Sequence, residues 1–139
     1  NVGAIIRSAY AFKMNALALS QTNSPFESTS MSKASSGAID KLKIIELSNM
    51  SRAIKKLQES NFLVFGLANG GKGNIFDLDN ELGNVAIIVG SEGKGLRRLT
   101  REKVDQLIEI PINPDSESLN VSNAASITMF QLQKNIIKS

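Results

Sequence analysis

Cysteine and histidine are both missing from the 139 residues of this sequence. Without cysteine, disulfides, thiolate nucleophiles and thiolate metal sites are excluded. Without histidine, the side chain that most often acts as a general base or a metal ligand is excluded as well. We therefore expect no metal centre, and any chemistry must depend on carboxylates, amides, hydroxyls, lysine and arginine.

Long apolar runs are missing too. Hydrophobic residues make up 42% of the chain, yet no run approaches the roughly 18 residues that cross a bilayer. The sequence also does not open with the charged and then apolar segment of a signal peptide. We therefore expect a protein that makes no contact with membranes and resides in the cytoplasm.

The length predicts one domain over residues 1–139, long enough to bury a core of mixed α/β type. Because the first residues read as a helix start, we expect an element before Asn1 to be missing. The formal net charge of +3 permits a polyanionic partner without demanding one. Basic residues cluster at Lys94, Arg97, Arg98, Arg101 and Lys103. This cluster is either a solvated helix face or a phosphate-binding patch.

Apolar periodicity predicts strands that alternate with helices, the pattern of a parallel sheet flanked by helices. The β-branched run Val85–Val89 is expected to be a central strand covered on both faces. Strands are expected at 15–19, 42–47, 61–67, 85–89 and 108–112, and helices at 1–12, 33–39, 50–60, 100–107 and in the C-terminal segment after 118. The last helix is expected to pack through Ala125, Met129, Leu132 and Ile136.

The opening stretch Asn1–Phe12 predicts a capped helix with Asn1 at or near the cap. Ile5, Ala9 and Phe12 fall on one apolar face of this helix. Arg7 lies roughly 200° round the helix from Ile5, so it is not part of that face. Taken alone, Arg7 is an ordinary surface arginine.

Two glycine-rich segments follow predicted strands. Residues 68–74 lack the phosphate-loop spacing GxxxxGK[ST], and we expect no helix start after them. Gly90–Leu96 matches neither that loop nor GxGxxG, but it carries Glu92 between glycines. A carboxylate at the end of a central strand, where other backbone can come close, suits the orientation of a substrate. A plain turn is the alternative.

Near the C-terminus, Ser118–Ala125 reads as a corner between the strand 108–112 and the last helix. Hydroxyls, an amide and free backbone N–H groups converge at such a corner, which makes it a place for a ligand. Alternatively, Ser118, Asn120 or Ser122 is simply the N-cap of that helix.

Three ordered segments together resemble the motifs of the SpoU/TrmH family, which are RNA ribose 2′-O-methyltransferases of the SPOUT class. They are Asn1–Arg7, then Ile88–Leu96, then Ile110–Ile112 leading to Ser118–Ser122. The small-residue stretch Lys33–Ala38 is also similar to a segment of that family. The resemblance therefore spans nearly the whole chain.

The resemblance implies a parallel sheet flanked by helices whose C-terminal part forms a deep trefoil knot, an exception to the usual absence of knots. It implies S-adenosylmethionine as the cofactor and a homodimer whose active site lies close to the subunit interface. The cofactor cradle would consist of Val89, Gly90, Ile110, Ile112, Ser118, Leu119 and Asn120.

By the same resemblance, Arg7 matches an arginine central to catalysis, and the residues around the reacting ribose are Asn1, Glu92, Ser118 and Asn120. Methyl transfer from a sulfonium needs the 2′-oxygen held in line, and such orientation removes roughly 7–11 kcal/mol of barrier. Because arginine stays protonated, we favour Arg7 as a phosphate ligand that stabilises the developing alkoxide. Glu92 is the other candidate for proton acceptance or positioning.

The sequence departs from the family pattern at Asn113-Pro114, where a glycine is common, and at Asn123, where a small apolar residue is usual. Both departures concern the shape of the cofactor loop. The expected substrate is a guanosine of ribosomal RNA. The alternatives are transfer RNA as the substrate, a domain that binds S-adenosylmethionine and RNA without methylating it, and an unrelated doubly wound binding domain.

Overall fold

The computed structural model describes residues 2–20, 37–78, 82–90 and 94–137. In that part of the chain the helices are α1 (Val2–Ala11), α2 (Met50–Glu59), α3 (Arg98–Lys103) and α4 (Val121–Ile137). The strands are β1 (Leu17–Ser20), β2 (Ile44–Leu47), β3 (Leu63–Leu67), β4 (Gly73–Asn74), β5 (Val85–Val89) and β6 (Gln106–Glu109). Two 3₁₀ turns cover Ala38–Asp40 and Ile75–Asp77.

All strand pairs of the described residues are parallel, which confirms the predicted α/β class. β1 pairs with β2, and a second sheet has the order β4-β6-β3-β5. The predicted central position of Val85–Val89 is wrong, because among the strands of the described residues β5 pairs only with β3 and stands at one end of the order. Its five residues are accordingly only partly buried. The pattern misled because β6, which comes later in the chain, pairs with the other side of β3.

The segment between residues 98 and 112 is shifted relative to its prediction. The helix covers Arg98–Lys103 instead of 100–107, and the strand covers Gln106–Glu109 instead of 108–112. The strand begins early because Gln106 pairs with Phe65 of β3, and Asp105 accepts a hydrogen bond of 2.7 Å from the backbone N–H of Val64. It ends early because Pro111 has no N–H to donate to a neighbouring strand.

Helix α2 forms as predicted. The side-chain oxygen of Asn49 accepts a hydrogen bond of 2.9 Å from the backbone N–H of Arg52 and thereby caps the helix. Ile54 is 1% exposed, whereas Arg52 and Lys55 lie on the solvent face. The amphipathic spacing therefore orients this helix correctly.

Of two other expectations, one falls partly outside the described residues and the other is wrong. The predicted helix at 33–39 lies partly outside the described residues, and its described end forms the short turn Ala38–Asp40. A helix start does follow residues 68–74, contrary to the prediction. Asn74 accepts a hydrogen bond from Phe76, and Asp77 accepts one from Asn74, so the two residues cap a single 3₁₀ turn.

Two apolar clusters lie in the interior of the described part of the chain. The first contains Ile6, Ala9, Ala38, Leu42, Ala125 and Met129, and the second contains Phe65, Ile75, Leu78, Ile108 and Leu132. Ala125, Met129 and Leu132 thus pack as predicted, while the side chain of Ile136 is not among those described. None of the helices in the described segments is long and apolar enough to span a membrane.

The buried face of α1 is wider than predicted. Ile6 and Ala9 are fully buried, whereas Ile5 and Phe12 are partly buried at the edge of the first cluster. The prediction omitted Ile6. This residue is covered because α1 contacts both α4 and the turn Ala38–Asp40.

Candidate active site

The first apolar cluster brings the three polar segments of the sequence together. Ile6 comes from the opening stretch, and Ala125 comes from the helix that follows the C-terminal corner. Val89, the last residue of β5, packs against the same cluster. Segments far apart in the sequence therefore meet at one place on the molecule.

A side-chain hydrogen bond joins the first and last of these segments. The hydroxyl oxygens of Ser8 in α1 and Ser126 in α4 lie 2.8 Å apart. Ser8 directly follows Arg7, and Ser126 lies one turn and a half into the helix that begins at the corner. This bond fixes the turn of α1 that carries Arg7 against α4.

Arg7 itself is exposed, and it lies outside the buried stripe of α1 as predicted. An exposed guanidinium is accessible to a ligand, and its N–H donors form a planar fork that suits a phosphate. Asn1 and Glu92, the two other polar residues predicted for the first and second segments, lie outside the described residues.

Gly90 is placed where a side chain does not fit. A Cβ atom at Gly90 would lie 2.5 Å from the backbone nitrogen of Leu96 and 2.5 Å from the carbonyl oxygen of Gly95. Gly95 has φ +66°, a left-handed conformation that glycine adopts without strain. The chain after β5 therefore returns so that its own backbone packs on Gly90, as the glycine pattern predicted.

The loop between β6 and α4 is longer than predicted. Since β6 ends at Glu109, Ser118 does not follow the strand directly, and every residue from Pro111 to Asn120 is exposed. Asn113 shapes the loop, because its side-chain oxygen accepts a hydrogen bond of 3.0 Å from the N–H of Asp115. The departure at Asn113-Pro114 thus forms an ordered turn. Two aliphatic side chains, Ile112 and Leu119, are 36% and 38% exposed in this loop.

Asn120 acts as the N-cap of α4. Its side-chain oxygen accepts a hydrogen bond of 2.8 Å from the N–H of Ser122 and another of 2.6 Å from the Ser122 hydroxyl. Its carbonyl accepts the first helical bond, from Ala124 at 3.0 Å. The capping alternative is therefore correct for Asn120, and its catalytic role stays a prediction. Asn123, the second departure from the family pattern, is exposed and does not disturb the core.

Two surface clefts lie away from the predicted cradle. One, of about 450 Å³, lies along α2 and includes Arg52, Lys55 and Lys103. The other, of about 420 Å³, lies at the end of α1 and includes Tyr10. Neither cleft is lined by Gly90, Ser118 or Leu119.

The cleft at the end of α1 was missed in the sequence. Its cations are Lys13, Lys41 and Lys43. They come from two segments separated by 27 residues in the chain, so no local basic run revealed them. The basic residues 94–103 that the sequence did single out are exposed. Arg98 among them forms an ion pair of 3.3 Å with Glu102.

The sequence profile of the SpoU rRNA Methylase family matches residues 1–130. Over 131 residues, the chain is 38% identical to the 23S rRNA (guanosine-2'-O-)-methyltransferase RlmB of Xanthomonas campestris pv. campestris. It is 41% identical to the protein of the same name from Xylella fastidiosa. Each alignment covers 94% of this chain and 52% of the relative, so the chain spans about half the length of the curated relatives it matches.

The fold is similar to that of the SpoU methyltransferase AviRb from Streptomyces viridochromogenes, whose crystal structure is a complex with AdoMet. The two structures superimpose with a TM-score of 0.88 at 21% identity, over 99% of this chain and 56% of the other. At this identity the likeness concerns the fold. The family profile, in contrast, includes all three of the polar segments that meet at the first apolar cluster. The chain belongs to the SpoU rRNA methylase family.

Proposed function

We propose that the chain is the catalytic domain, over residues 1–139, of an S-adenosylmethionine-dependent RNA methyltransferase that modifies a ribose 2′-hydroxyl. The observation that carries this proposal is the meeting of α1, the end of β5 and the start of α4 at one apolar cluster. Relatives at 38–41% identity bear the name of 23S rRNA guanosine-2'-O-methyltransferases. A guanosine of ribosomal RNA is therefore the proposed target, and the cytoplasm is the proposed location.

The residues predicted for the cofactor cradle suit S-adenosylmethionine. Gly90 leaves no room for a side chain, so backbone groups approach closely at the end of β5. Ile112 and Leu119 offer partly exposed aliphatic surface in the loop before α4, where an adenine ring requires apolar contact. We propose that the cofactor is held by Val89, Gly90, Ile110, Ile112, Ser118, Leu119 and Asn120. When bound, it supplies a methyl group on a sulfonium.

Arg7 is proposed to hold the RNA phosphate next to the target ribose and to stabilise negative charge on the 2′-oxygen. Its exposure on α1 leaves the guanidinium accessible to both groups. A guanidinium remains protonated, so it acts by electrostatics and not as a base. Glu92 is the proposed acceptor of the hydroxyl proton, and Asn1 with Ser118 is proposed to orient the ribose. Asn120 is proposed to contribute through its amide nitrogen, since its oxygen caps α4.

The C-terminal part of the chain is proposed to form a deep trefoil knot. The strand order β4-β6-β3-β5 supports this, since β6 is last in the chain yet lies between two earlier strands. The C-terminal segment must therefore enter the middle of the sheet. A crystal structure of the protein tests the knot directly, because the path of 82–137 relative to the loops before it is then traced.

The protein is proposed to work as a homodimer. Ile127 and Phe130 on α4 are 42% and 58% exposed, although they lie on a helix whose other face is in the core. Phe12 meets Phe130 edge to face, with ring centroids 5.7 Å apart, so the patch continues onto the end of α1. Apolar side chains grouped in this way are typical of a surface that a second chain covers.

Replacement of Arg7 tests the proposed function. In single-turnover assays with S-adenosylmethionine and unmodified ribosomal RNA, we expect Arg7→Ala to slow methyl transfer by about 10²–10³-fold. The matched control is Arg52→Ala, which removes an exposed helical arginine away from the three segments and should leave the rate within about twofold. Equal rates for the two variants would refute the role of Arg7. No methylation by the unaltered protein, despite binding of S-adenosylmethionine, would favour a non-catalytic RNA-binding domain.

A further inference from the structure

The cleft at the end of α1 combines an exposed aromatic ring with three lysines. Tyr10 is 45% exposed, and the ammonium group of Lys41 lies 5.8 Å from the centroid of its ring. Lys13 and Lys43 complete the cationic lining, and no carboxylate is among the described residues that line this cleft. We call this surface, defined by Tyr10, Lys13, Lys41 and Lys43, the lysine cleft.

Lys13 occupies a backbone position that does not suit lysine. It has φ +61°, in the left-handed region. Its N–H bonds to the carbonyl of Tyr10 at 3.1 Å, and the N–H of Met14 bonds to the carbonyl of Ala9 at 2.9 Å. These two bonds define a Schellman end, whose left-handed residue is usually glycine and sometimes asparagine.

Helix α2 ends in the same way with a residue that does suit the position. The N–H of Phe62 bonds to the carbonyl of Leu57 at 2.9 Å, and the left-handed residue there is Asn61, with φ +66°. Asparagine tolerates this conformation far better than lysine does. The lysine at the end of α1 is therefore unfavourable for folding, which is a reason to look for its value in binding.

The lysine cleft continues from the proposed catalytic residue along the same helix. Arg7 and Tyr10 are three residues apart on α1, a spacing that makes their side chains neighbours on the helix surface. Lys13 follows at the end of the helix, so guanidinium, ring and ammonium groups succeed one another in one direction. A nucleotide chain that starts at Arg7 would meet the ring next.

We propose that the lysine cleft binds a single-stranded stretch of the substrate RNA beside the target nucleotide. One base stacks on Tyr10, and the adjoining phosphates contact Lys13, Lys41 and Lys43. An aromatic ring accepts a base only when that base is unstacked from its neighbours, so the bound segment is a loop or a bulge. This proposal rests on the proposed function, because that function identifies the bound RNA as the substrate.

The second basic cleft provides a matched comparison. Arg52, Lys55 and Lys103 also place three cations around a cavity of similar size, about 450 Å³ against about 420 Å³. None of the described residues that line it is aromatic, and it lies along α2, not on the helix of Arg7. It therefore offers the same charge without the stacking surface.

Binding of a fluorescent oligoadenylate of about 12 nucleotides, without S-adenosylmethionine, tests the proposal. We expect Tyr10→Ala to weaken binding by about 5- to 100-fold and Tyr10→Phe to leave it within about twofold, because the ring is retained. The triple variant Lys13→Gln/Lys41→Gln/Lys43→Gln should make the slope of log affinity against log salt less negative by about 2. The control Arg52→Gln/Lys55→Gln/Lys103→Gln should change the affinity and the salt dependence much less than the first triple variant does. Equal losses for the two triple variants would overturn the proposal.

Lys13→Gly separates binding from folding. Glycine relieves the left-handed strain, so we expect the melting temperature to rise by about 2–4 °C while oligoadenylate binding weakens. A variant that is more stable cannot lose binding through unfolding. Unchanged oligoadenylate affinity in both Lys13→Gly and Tyr10→Ala would overturn the assignment of the lysine cleft to RNA binding. The assignment would also be overturned if these variants changed the oligomeric state of the protein and left the affinity unchanged.

The outcomes also separate this proposal from the proposed function. If the unaltered protein methylates ribosomal RNA but Tyr10→Ala keeps the same affinity and the same KM for RNA, the lysine cleft is wrong and the function stands. If the protein does not methylate RNA but binding of oligoadenylate still depends on Tyr10, the function is wrong and the RNA-binding cleft stands.

Discussion

At Gly90 the structure leaves no room for a side chain. A methyl group there would press on the backbone of Gly95 and Leu96, which cannot move aside as a flexible side chain can. We predict that Gly90→Ala destabilises the protein by about 1–3 kcal/mol and abolishes binding of S-adenosylmethionine. Urea denaturation and calorimetric titration measure the two effects. Gly83→Asn is the control, because Gly83 has open space around it and asparagine accepts its φ of +74°. Normal cofactor binding by Gly90→Ala would contradict the proposed cradle.

Asn120 caps α4 and is also proposed to bind the ribose, and a single substitution can separate these two roles. As a cap, it needs only an oxygen that accepts from Ser122, and aspartate supplies this oxygen. As a ribose ligand, it needs the amide nitrogen as a donor. We predict that Asn120→Ala lowers the free energy of unfolding by about 1 kcal/mol, whereas Asn120→Asp keeps it. Methyl transfer should fall in both variants. Full activity in Asn120→Asp would show that the residue only caps α4.

The sequence predicted the properties of individual residues where those properties depend on neighbouring residues in the chain. The cap at Asn120, the close backbone approach at Gly90 and the exposure of Arg7 follow from neighbouring residues, and the sequence offered all three, the cap as an alternative. The caps at Asn49 and Asn74 were not predicted. The burial of Ile6 and the lysine cleft were not predicted, because both arise from segments that meet only after folding.

At the scale of elements, the contact of α1 with α4 positions the candidate site. The hydrogen bond between Ser8 and Ser126 is its polar part, at 2.8 Å. In a double-mutant cycle of Ser8→Ala and Ser126→Ala, we predict a coupling of about 1 kcal/mol in the free energy of unfolding. Either single variant should also slow methyl transfer, because the turn of Arg7 loses its support. Additive effects on stability would mean that the hydroxyls do not hold the helices together.

The sequence did not predict the boundaries of those elements whose ends are set by pairing with a strand far away in the chain. α2 was predicted to within a residue or two because its amphipathic face and its cap are local. β6 was misplaced because its start is set by pairing with β3, about forty residues earlier in the chain. The β-branched run of β5 was a strand as predicted, but its position at the end of the sheet order depends on where β6 inserts.

At the scale of the whole molecule, the exposed apolar patch on α4 predicts self-association. Phe130→Glu should convert the proposed homodimer to a monomer and lower methyl transfer, because the active site is proposed to lie near the interface. Sedimentation velocity measures the assembly state. Phe76→Glu is the matched control, since Phe76 is 71% exposed on a 3₁₀ turn and its replacement should leave the dimer intact. A dimer that survives Phe130→Glu would place the interface elsewhere.

The overall architecture was predictable in class but not in arrangement. Alternating apolar patterns indicated parallel α/β structure, and three short segments indicated the family, because both signals lie in the sequence itself. The strand order β4-β6-β3-β5 and the meeting of α1, β5 and α4 result from long-range pairing and packing. No local pattern encodes them.

The most direct test of the proposed function is the chemical identity of the product. The protein is incubated with unmodified ribosomal RNA and S-adenosylmethionine carrying a deuterated methyl group, and the digested nucleosides are analysed by mass spectrometry. The labelled methyl group should appear on the ribose of guanosine, and its amount should fall by about 10²-fold or more with Arg7→Ala. A label on a base, or none on ribosomal RNA, would contradict the assignment of these residues to ribose methylation.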